Sequence, residues 1–457
     1  MKEERRLFYK RQAETLTAEI RRLRKRNTGF VVSELLTFGL AIAAVVAYVS
    51  TDTGYTYLYI AAVMLVAYIL IRRADINNAN RITQQEDMRS VYQKELAYLS
   101  GDFSGFGDGA PYSNPQHPYT FDMDIFGRDS LFNRVNRTIT SGGSDKLAKE
   151  LMTLGCENIM QRQEAIRELA EQEPLCSRFL AYGQRKTINT SDILTTLHGI
   201  EQPSHTGEWR GEYLHQVEDW IEAVSHFDML VSMATFRYNE PTAIDAEIID
   251  NQEPLVLEAQ AITHPFLGER AISNDFTLQD SHYYIITGAN MAGKSTFLRT
   301  IGVNYILARC GMPVFAKRFR ASRFSLFSSM RTTDDLTQGI SYFNAELLRL
   351  QQLIEFCRNQ PHTLIILDEI LKGTNSLDKL NGSRLFLEHI RQLPVTGIIA
   401  THDLALSKMA DEHPDRFHNY CFEIELSDNV TYTYKITEGV ARNQNATFLL
   451  QNIVLSE

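Results

Sequence analysis

Paired cysteines are missing from this sequence. Cys156, Cys176, Cys310, Cys357 and Cys421 lie far apart and form no CxxC pair, which excludes both a disulfide framework and a structural zinc site and points to buried thiols in a reducing compartment. Clustered positive charge is also scarce. The net charge is −10, yet residues 1–26 hold ten Lys/Arg against four Asp/Glu, so the remainder stands at about −16. Affinity for a phosphate backbone arises from clustered cations, so most of the chain carries no general nucleic-acid electrostatics. Low complexity is absent as well, and 457 residues of which 44% are hydrophobic suffice for two or three domains with sizeable cores.

What the sequence does have is two long apolar runs. Phe30 to Ser50 carries Glu34 as its only charge, and Tyr55 to Ile71 carries none. Each is long enough to cross a hydrocarbon core of about 30 Å as a helix. Thr51-Asp52-Thr53-Gly54 between them lacks Lys and Arg, whereas Arg21-Arg22-Leu23-Arg24-Lys25-Arg26 precedes the first run and Arg72-Arg73 follows the second. The positive-inside rule then puts both ends in the cytoplasm. A second apolar run with no small-residue cleavage site before it argues against a signal peptide. These features predict a basic cytoplasmic N-terminus over 1–29 and a transmembrane helical hairpin over 30–71, in the cell (inner) membrane with the lipid bilayer as its surroundings.

Asp75 to Leu99 reads as a continuing cytoplasmic helix that stops at the Gly/Pro-rich run Gly101 to Pro118, a linker, so that 72–119 forms one connecting region. The apolar spacing of Leu147, Leu151, Leu154 and of Ile159, Ile166, Leu169 is helical, with Pro174 ending that block. Tyr213 to Tyr238 predicts a further long helix stopped by Asn239-Glu240-Pro241. Residues 120–250 are therefore expected to form a helical domain. From 251 to 457 short apolar runs alternate with helices, and Tyr283–Thr287, Thr363–Leu367 and Gly397–Ala400 are the strand candidates of an α/β domain.

The chemistry is concentrated in that last region. Gly288-Ala289-Asn290-Met291-Ala292-Gly293-Lys294-Ser295 fits GxxxxGK[ST] between an apolar strand and a helical run. Glycines let backbone N–H groups turn toward phosphates, the helix N-terminus adds positive potential, Lys294 reaches the terminal phosphates and Ser295 coordinates Mg²⁺. Leu364-Ile365-Ile366-Leu367-Asp368-Glu369 is a strand ending in two acids, as in a Walker B segment. Asp368 is expected to hold hydrated Mg²⁺ and Glu369 to polarise the attacking water, with His402, after the strand Gly397–Ala400, at the γ-phosphate. ATP and Mg²⁺ are the cofactors this implies.

These segments together resemble the MutS family of DNA mismatch-repair ATPases. Thr287 to Thr296 is similar to that family's TGPNMGGKST, with Ala289 and Ala292 in place of Pro and Gly. Asp368 to Asn375 resembles DEIGRGTS, Ala400-Thr401-His402 resembles ATH, and Met330–Leu336 with Ser341–Glu346 look like RIGASDDL and STFMVE. His264-Pro265 and Asn274-Asp275 resemble RHP and ND, with Thr263 where the family has arginine. The segments around Asp122–Phe126 and Leu131–Thr138 look like the start of the family's core domain, and Val224 to Tyr238 like its lever helix.

The resemblance implies an ABC-type nucleotide domain over 251–457, a MutS-like core/lever domain over 120–250, and ATP contacts through Gly288 to Thr296. It implies catalysis by Lys294, Glu369 and His402, Mg²⁺ ligation by Ser295 and Asp368, and a trans contact from Ser341 to the ATP of a second copy, hence a homodimer. It also implies a lever that changes affinity for a partner, with DNA as one candidate and an unidentified protein as another. Where repair members carry a mismatch-reading domain, this sequence has the hairpin and linker. Between Cys176 and Trp220 it has too few residues for the family's long clamp arms. Alternatives from other classes are a mismatched-DNA-binding repair protein, an ABC-type transport ATPase, against which the lack of LSGGQ at Ile340–Glu346 counts, and a membrane scaffold holding ATP as a structural ligand.

Overall fold

A computed structural model describes residues 1–50, 55–199, 204–249, 255–331, 342–426 and 430–442. The chain divides into two compact units, one made of 1–106, 137–145 and 169–241 and the other of 107–136, 146–168 and 242–457. Residues 107–136 and 146–168, which periodicity groups with the linker and the helical block, thus belong with the nucleotide-site residues.

The first unit begins with two long helices, α1 (Lys2–Ser50) and α2 (Thr56–Leu99). The basic N-terminus and the first apolar run are one continuous helix, and so are the second run and the polar segment after it. No proline interrupts either helix. They run antiparallel, as the pairs Arg24–Glu86 at 2.6 Å, Glu34–Arg72 at 3.4 Å and Phe38–Tyr68 at 5.3 Å between ring centroids show. Glu34, the one charge in the apolar runs, thereby meets a cation across the pair. Both helices contain an 18-residue window long and apolar enough to cross a membrane, and only 11% of the first window and none of the second is buried. Thr51-Asp52-Thr53-Gly54 lies outside the described residues.

The rest of the unit packs around α6 (Glu173–Ala181) and α8 (Ser204–Asn239), with α7 (Thr190–Gly199) before the latter. Val91 of α2, Ile139, Cys176 and Leu180 of α6, and Val231 of α8 form its apolar core. Pro174 corrects the sequence reading, because it begins α6 instead of ending the block. A proline in the first helical turn lacks only an N–H that has no intrahelical partner there. Helix α8 ends at Asn239 as expected and starts nine residues before Tyr213.

The second unit contains α3 (Leu131–Val135), most of α4 (Ser141–Thr153) and α5 (Ile159–Glu171), and two sheets. From residue 107 on, the Gly/Pro-rich run is packed here, contrary to its reading as a linker. Tyr112 lies 5.7 and 5.6 Å from the rings of Phe126 and Phe132. Gly109, at φ 69°, sits where a Cβ would come within 2.6 Å of Phe132. The smaller sheet has the order β1-β5-β2-β3, from Glu247–Ile249, Arg318–Ser322, Leu255–Ile262 and Asn274–Gln279.

The larger sheet, order β10-β9-β4-β8-β7-β6, is built from β4 (Tyr283–Gly288), β6 (Ser325–Ser329), β7 (Thr363–Asp368), β8 (Val395–Thr401), β9 (Phe417–Leu426) and β10 (Val430–Glu438). All its neighbours pair in parallel except β9 with β10. The central strands are mostly apolar and buried along their whole length, as a parallel sheet flanked by helices requires. One face carries Ile285, Ile365, Leu367 and Ile399 against α10 (Tyr342–Asn359) and α11 (Ser376–Ile390). On the other lies α9 (Lys294–Arg309), whose Gly302 approaches Met123 and Ile366 so closely that a Cβ would lie 2.5 and 3.5 Å from them. The sequence-derived strands agree with β4, β7 and β8 to within two residues.

Candidate nucleotide site

Strand order creates the site. β8 lies between β4 and β7, with Thr287 opposite Thr401 and Asp368 opposite Ala400. The carboxyl ends of three neighbouring parallel strands therefore stand side by side, the position where open α/β sheets hold ligands. Each end carries one of the sequence motifs. Glu369 is fixed to the middle strand by its own N–H, which donates to Ala400 O at 2.9 Å.

The loop after β4 turns through left-handed backbone at Gly288 (φ 153°), Met291 (φ 66°) and Gly293 (φ 109°). A Cβ on Gly288 would lie 2.9 Å from the Phe422 carbonyl oxygen, so only glycine fits. Ala289 and Ala292 are not in the left-handed region, which explains why alanine is accepted where the family has Pro and Gly. Gly293 is the N-cap of α9, so Lys294, Ser295 and Thr296 form the helix's first turn. Asn290, Met291 and Thr296 are exposed along the cleft.

Lys294 is 5% exposed, and its Nζ donates to Gly288 O at 2.8 Å and Ala289 O at 3.0 Å. Burial lowers its pKa to about 8, although Asp368 and Glu369 pull the other way. Ser295 Oγ donates to Asp368 Oδ2 at 2.5 Å. A hydroxyl and a carboxylate oxygen in contact are hard donors suited to Mg²⁺, which takes its remaining ligands from water and phosphate. No cluster of three His, Cys, Asp or Glu among the described residues offers a larger protein cage.

His402 follows β8, with Nδ1 3.0 Å from Gly288 O and Nε2 3.3 Å from Glu369 Oε1. Burial and the Lys294 charge lower its pKa, opposed by Glu369, so the ring is neutral at pH 7. Lys294, Ser295, Asp368, Glu369 and His402 thus meet in one cleft of about 920 Å³. Its far side is lined by His264, Leu267, Arg270, Ile272, Phe422 and Tyr434. His264 has its pKa lowered to about 4 by burial and by Arg299 and Arg134.

Several partners of this site lie outside the glycine loop, the acidic pair and the histidine. Lys379 of α11 donates to Glu369 Oε2 at 2.9 Å. Glu346 of α10 accepts from the backbone N–H groups of Lys372 and Gly373, both at 2.9 Å, and so ties that helix to the loop after the acidic pair. Asp122 accepts from Ser328 Oγ, Met330 N and Arg331 N, at 2.8, 3.2 and 2.9 Å. Arg331 forms a two-pronged pair with Asp124, at 2.6 and 2.9 Å. Asn274 donates to Tyr434 O and accepts from Ile436 N, which pins β10 beside the cleft. Ser341 and Thr332 to Leu336 lie outside the described residues.

Residues 284–449 match the family model described as MutS domain V. The chain is 27% identical over 242 residues to the DNA mismatch repair protein MutS of Petrotoga mobilis, a match covering 51% of this chain and 28% of that protein. It is 28% identical over 247 residues to human MutS protein homolog 4, covering 51% and 25%. With Endonuclease MutS2 of Carboxydothermus hydrogenoformans it shares 28% identity over 249 residues, covering 53% and 31%. The matched stretch is thus about half of this chain and under a third of each relative. The glycine loop, acidic strand end and histidine gathered at the carboxyl ends of β4, β7 and β8 all lie within the stretch that matches MutS domain V.

Proposed function

We propose that this protein is a membrane-anchored ATPase that binds and hydrolyses Mg-ATP as a homodimer and uses the nucleotide state to change the disposition of its lever helices. The observation that carries the proposal is the Ser295–Asp368 contact, with Lys294, Glu369 and His402 around it. Lys294 exchanges its loop carbonyls for β- and γ-phosphate oxygens, while backbone N–H groups of the loop and of the α9 N-terminus take the rest. Ser295, and Asp368 through water, would hold Mg²⁺, which would supply positive charge to neutralise those oxygens. Glu369 orients the attacking water, and His402 lies within reach of the γ-phosphate. Ser341 of a second copy completes the site in an ABC-type dimer. The exposed apolar windows of α1 and α2 support a hairpin anchored in the inner membrane, with the nucleotide unit in the cytoplasm. The repair names of the relatives make DNA the first effector to test, beside a protein partner.

The deciding experiment measures Mg-dependent ATP turnover of the full chain after membrane fractionation. The protein should pellet with membranes, resist high salt, dissolve in detergent and then hydrolyse ATP. Recovery in the salt wash would sink the anchor, and absence of turnover would sink the ATPase.

A pH dependence follows from Lys294. Its ammonium is complete below pH 8 and is lost above it, so binding a triphosphate at higher pH requires proton uptake. Affinity should weaken by up to about tenfold per pH unit above 8. Titration with a non-hydrolysable ATP analogue between pH 7 and 9.5 checks this, and a flat profile contradicts it.

A further inference from the structure

Glu369 is held at one carboxylate oxygen by a cation and faces His402 with the other. Its backbone is left-handed at φ 64°, and its side chain is 14% exposed. Lys379 Nζ donates to Oε2 at 2.9 Å, and His402 Nε2 lies 3.3 Å from Oε1. Lys379 is placed by the start of α11, where the Asn375 side chain accepts from Asp378 N at 3.0 Å and Lys379 N donates to Asn375 O at 2.9 Å. A capped first turn thus delivers an ammonium, itself 19% exposed, to one oxygen of the acid. The other cations facing Glu369 have separate engagements, Lys372 with Met330 O at 3.1 Å and Lys294 with the glycine loop.

We propose that Lys379 is the positioning residue of the hydrolytic carboxylate, holding Oε2 so that Oε1, on the His402 side, is the oxygen that takes the proton of the attacking water. The inference rests on the ATPase reading given above. In the step it serves, the water oxygen bonds to the γ-phosphorus, the bond from that phosphorus to the β–γ bridging oxygen breaks, and the electron pair leaves with ADP. The water's proton goes to Oε1. A carboxylate free to rotate would present either oxygen and spend time turned from the water. Lys379 removes that freedom.

The test compares wild type, Lys379→Met and Lys379→Arg in the full detergent-solubilised chain. It measures kcat and KM for ATP, affinity for a non-hydrolysable ATP analogue, and thermal unfolding to establish that each variant is folded. In Lys379→Met, kcat should fall about tenfold or more while analogue affinity stays within about twofold of wild type. Lys379→Arg should restore most of the rate. An unchanged kcat in Lys379→Met, or a loss of kcat matched by loss of analogue binding, overturns the assignment. A wild-type protein that binds the analogue but turns over no ATP sinks the hydrolytic reading and this one with it. Turnover by wild type beside an unaltered Lys379→Met sinks this inference alone.

Discussion

Replacing Glu369 with glutamine is expected to slow ATP hydrolysis by at least about 100-fold, the scale on which a general base contributes, while ATP binding persists. The two effects separate because Glu369 stands apart from the phosphate-binding groups. Its Oε1 lies toward His402 and its Oε2 toward Lys379, whereas Lys294 and Ser295 engage the loop carbonyls and Asp368. Glutamine keeps the shape and can still accept from Lys379, yet it cannot take a proton from water. Single-turnover hydrolysis and equilibrium binding of labelled ATP read the two quantities independently. If both fall together, Glu369 supports the pocket instead of the reaction. If neither falls, another group activates the water. The expected variant, loaded but stalled, is also the form in which a DNA or protein partner should co-purify.

The central site was legible because each of its parts is a contiguous segment whose residue types have few other uses. A glycine loop between a strand and a helix, and two acids at the end of an apolar strand, can be read without knowing how the strands are ordered. Strand order was not legible, and it decides which residues from elsewhere arrive. Lys379 follows Glu369 by ten positions, but only the loop and the capped start of α11 turn it back onto the carboxylate. Asp122 reaches Met330 across more than two hundred residues, and Tyr434 reaches the cleft only because Asn274 of another strand holds its carbonyl. Pro174 and the run from Gly101 to Pro118 misled for a related reason. Proline and glycine mark a change in backbone direction, and what then packs against the chain, α6 in one case and Phe126 with Phe132 in the other, is settled by tertiary structure.

The second large effect is expected far from the nucleotide, at Arg137. Its guanidinium and the Glu95 carboxylate are 1% and 2% exposed and pair at 3.1 and 3.2 Å. The rings of Tyr98 and Phe106 flank the cation, each with its centroid at 4.3 Å. Removing one member of such a pair leaves a charge with neither water nor counter-charge, which costs about 3–5 kcal/mol. Arg137→Met should therefore lower the unfolding temperature of the helical unit strongly, read as early loss of helical circular dichroism. Adding Glu95→Gln to Arg137→Met should recover part of the loss, because the amide oxygen can still accept from Asn239 Nδ2, which donates to Glu95 Oε2 at 2.6 Å. If Arg137→Met melts with wild type, the ion pair is not what holds this core. The same pair of variants also tests a mechanical point. Tyr9 of α1 donates to Asn239 Oδ1 at 2.9 Å, and Tyr98 of α2 donates to Glu240 Oε1 at 3.0 Å. The apolar helix pair is thus fastened to the last residue of α8 and the residue after it by directional hydrogen bonds that a slipped register would break. Apolar contacts among Phe8, Tyr92 and Tyr238 would tolerate a small slip, so the buried polar groups are what fix the end of α8 to the α1–α2 pair.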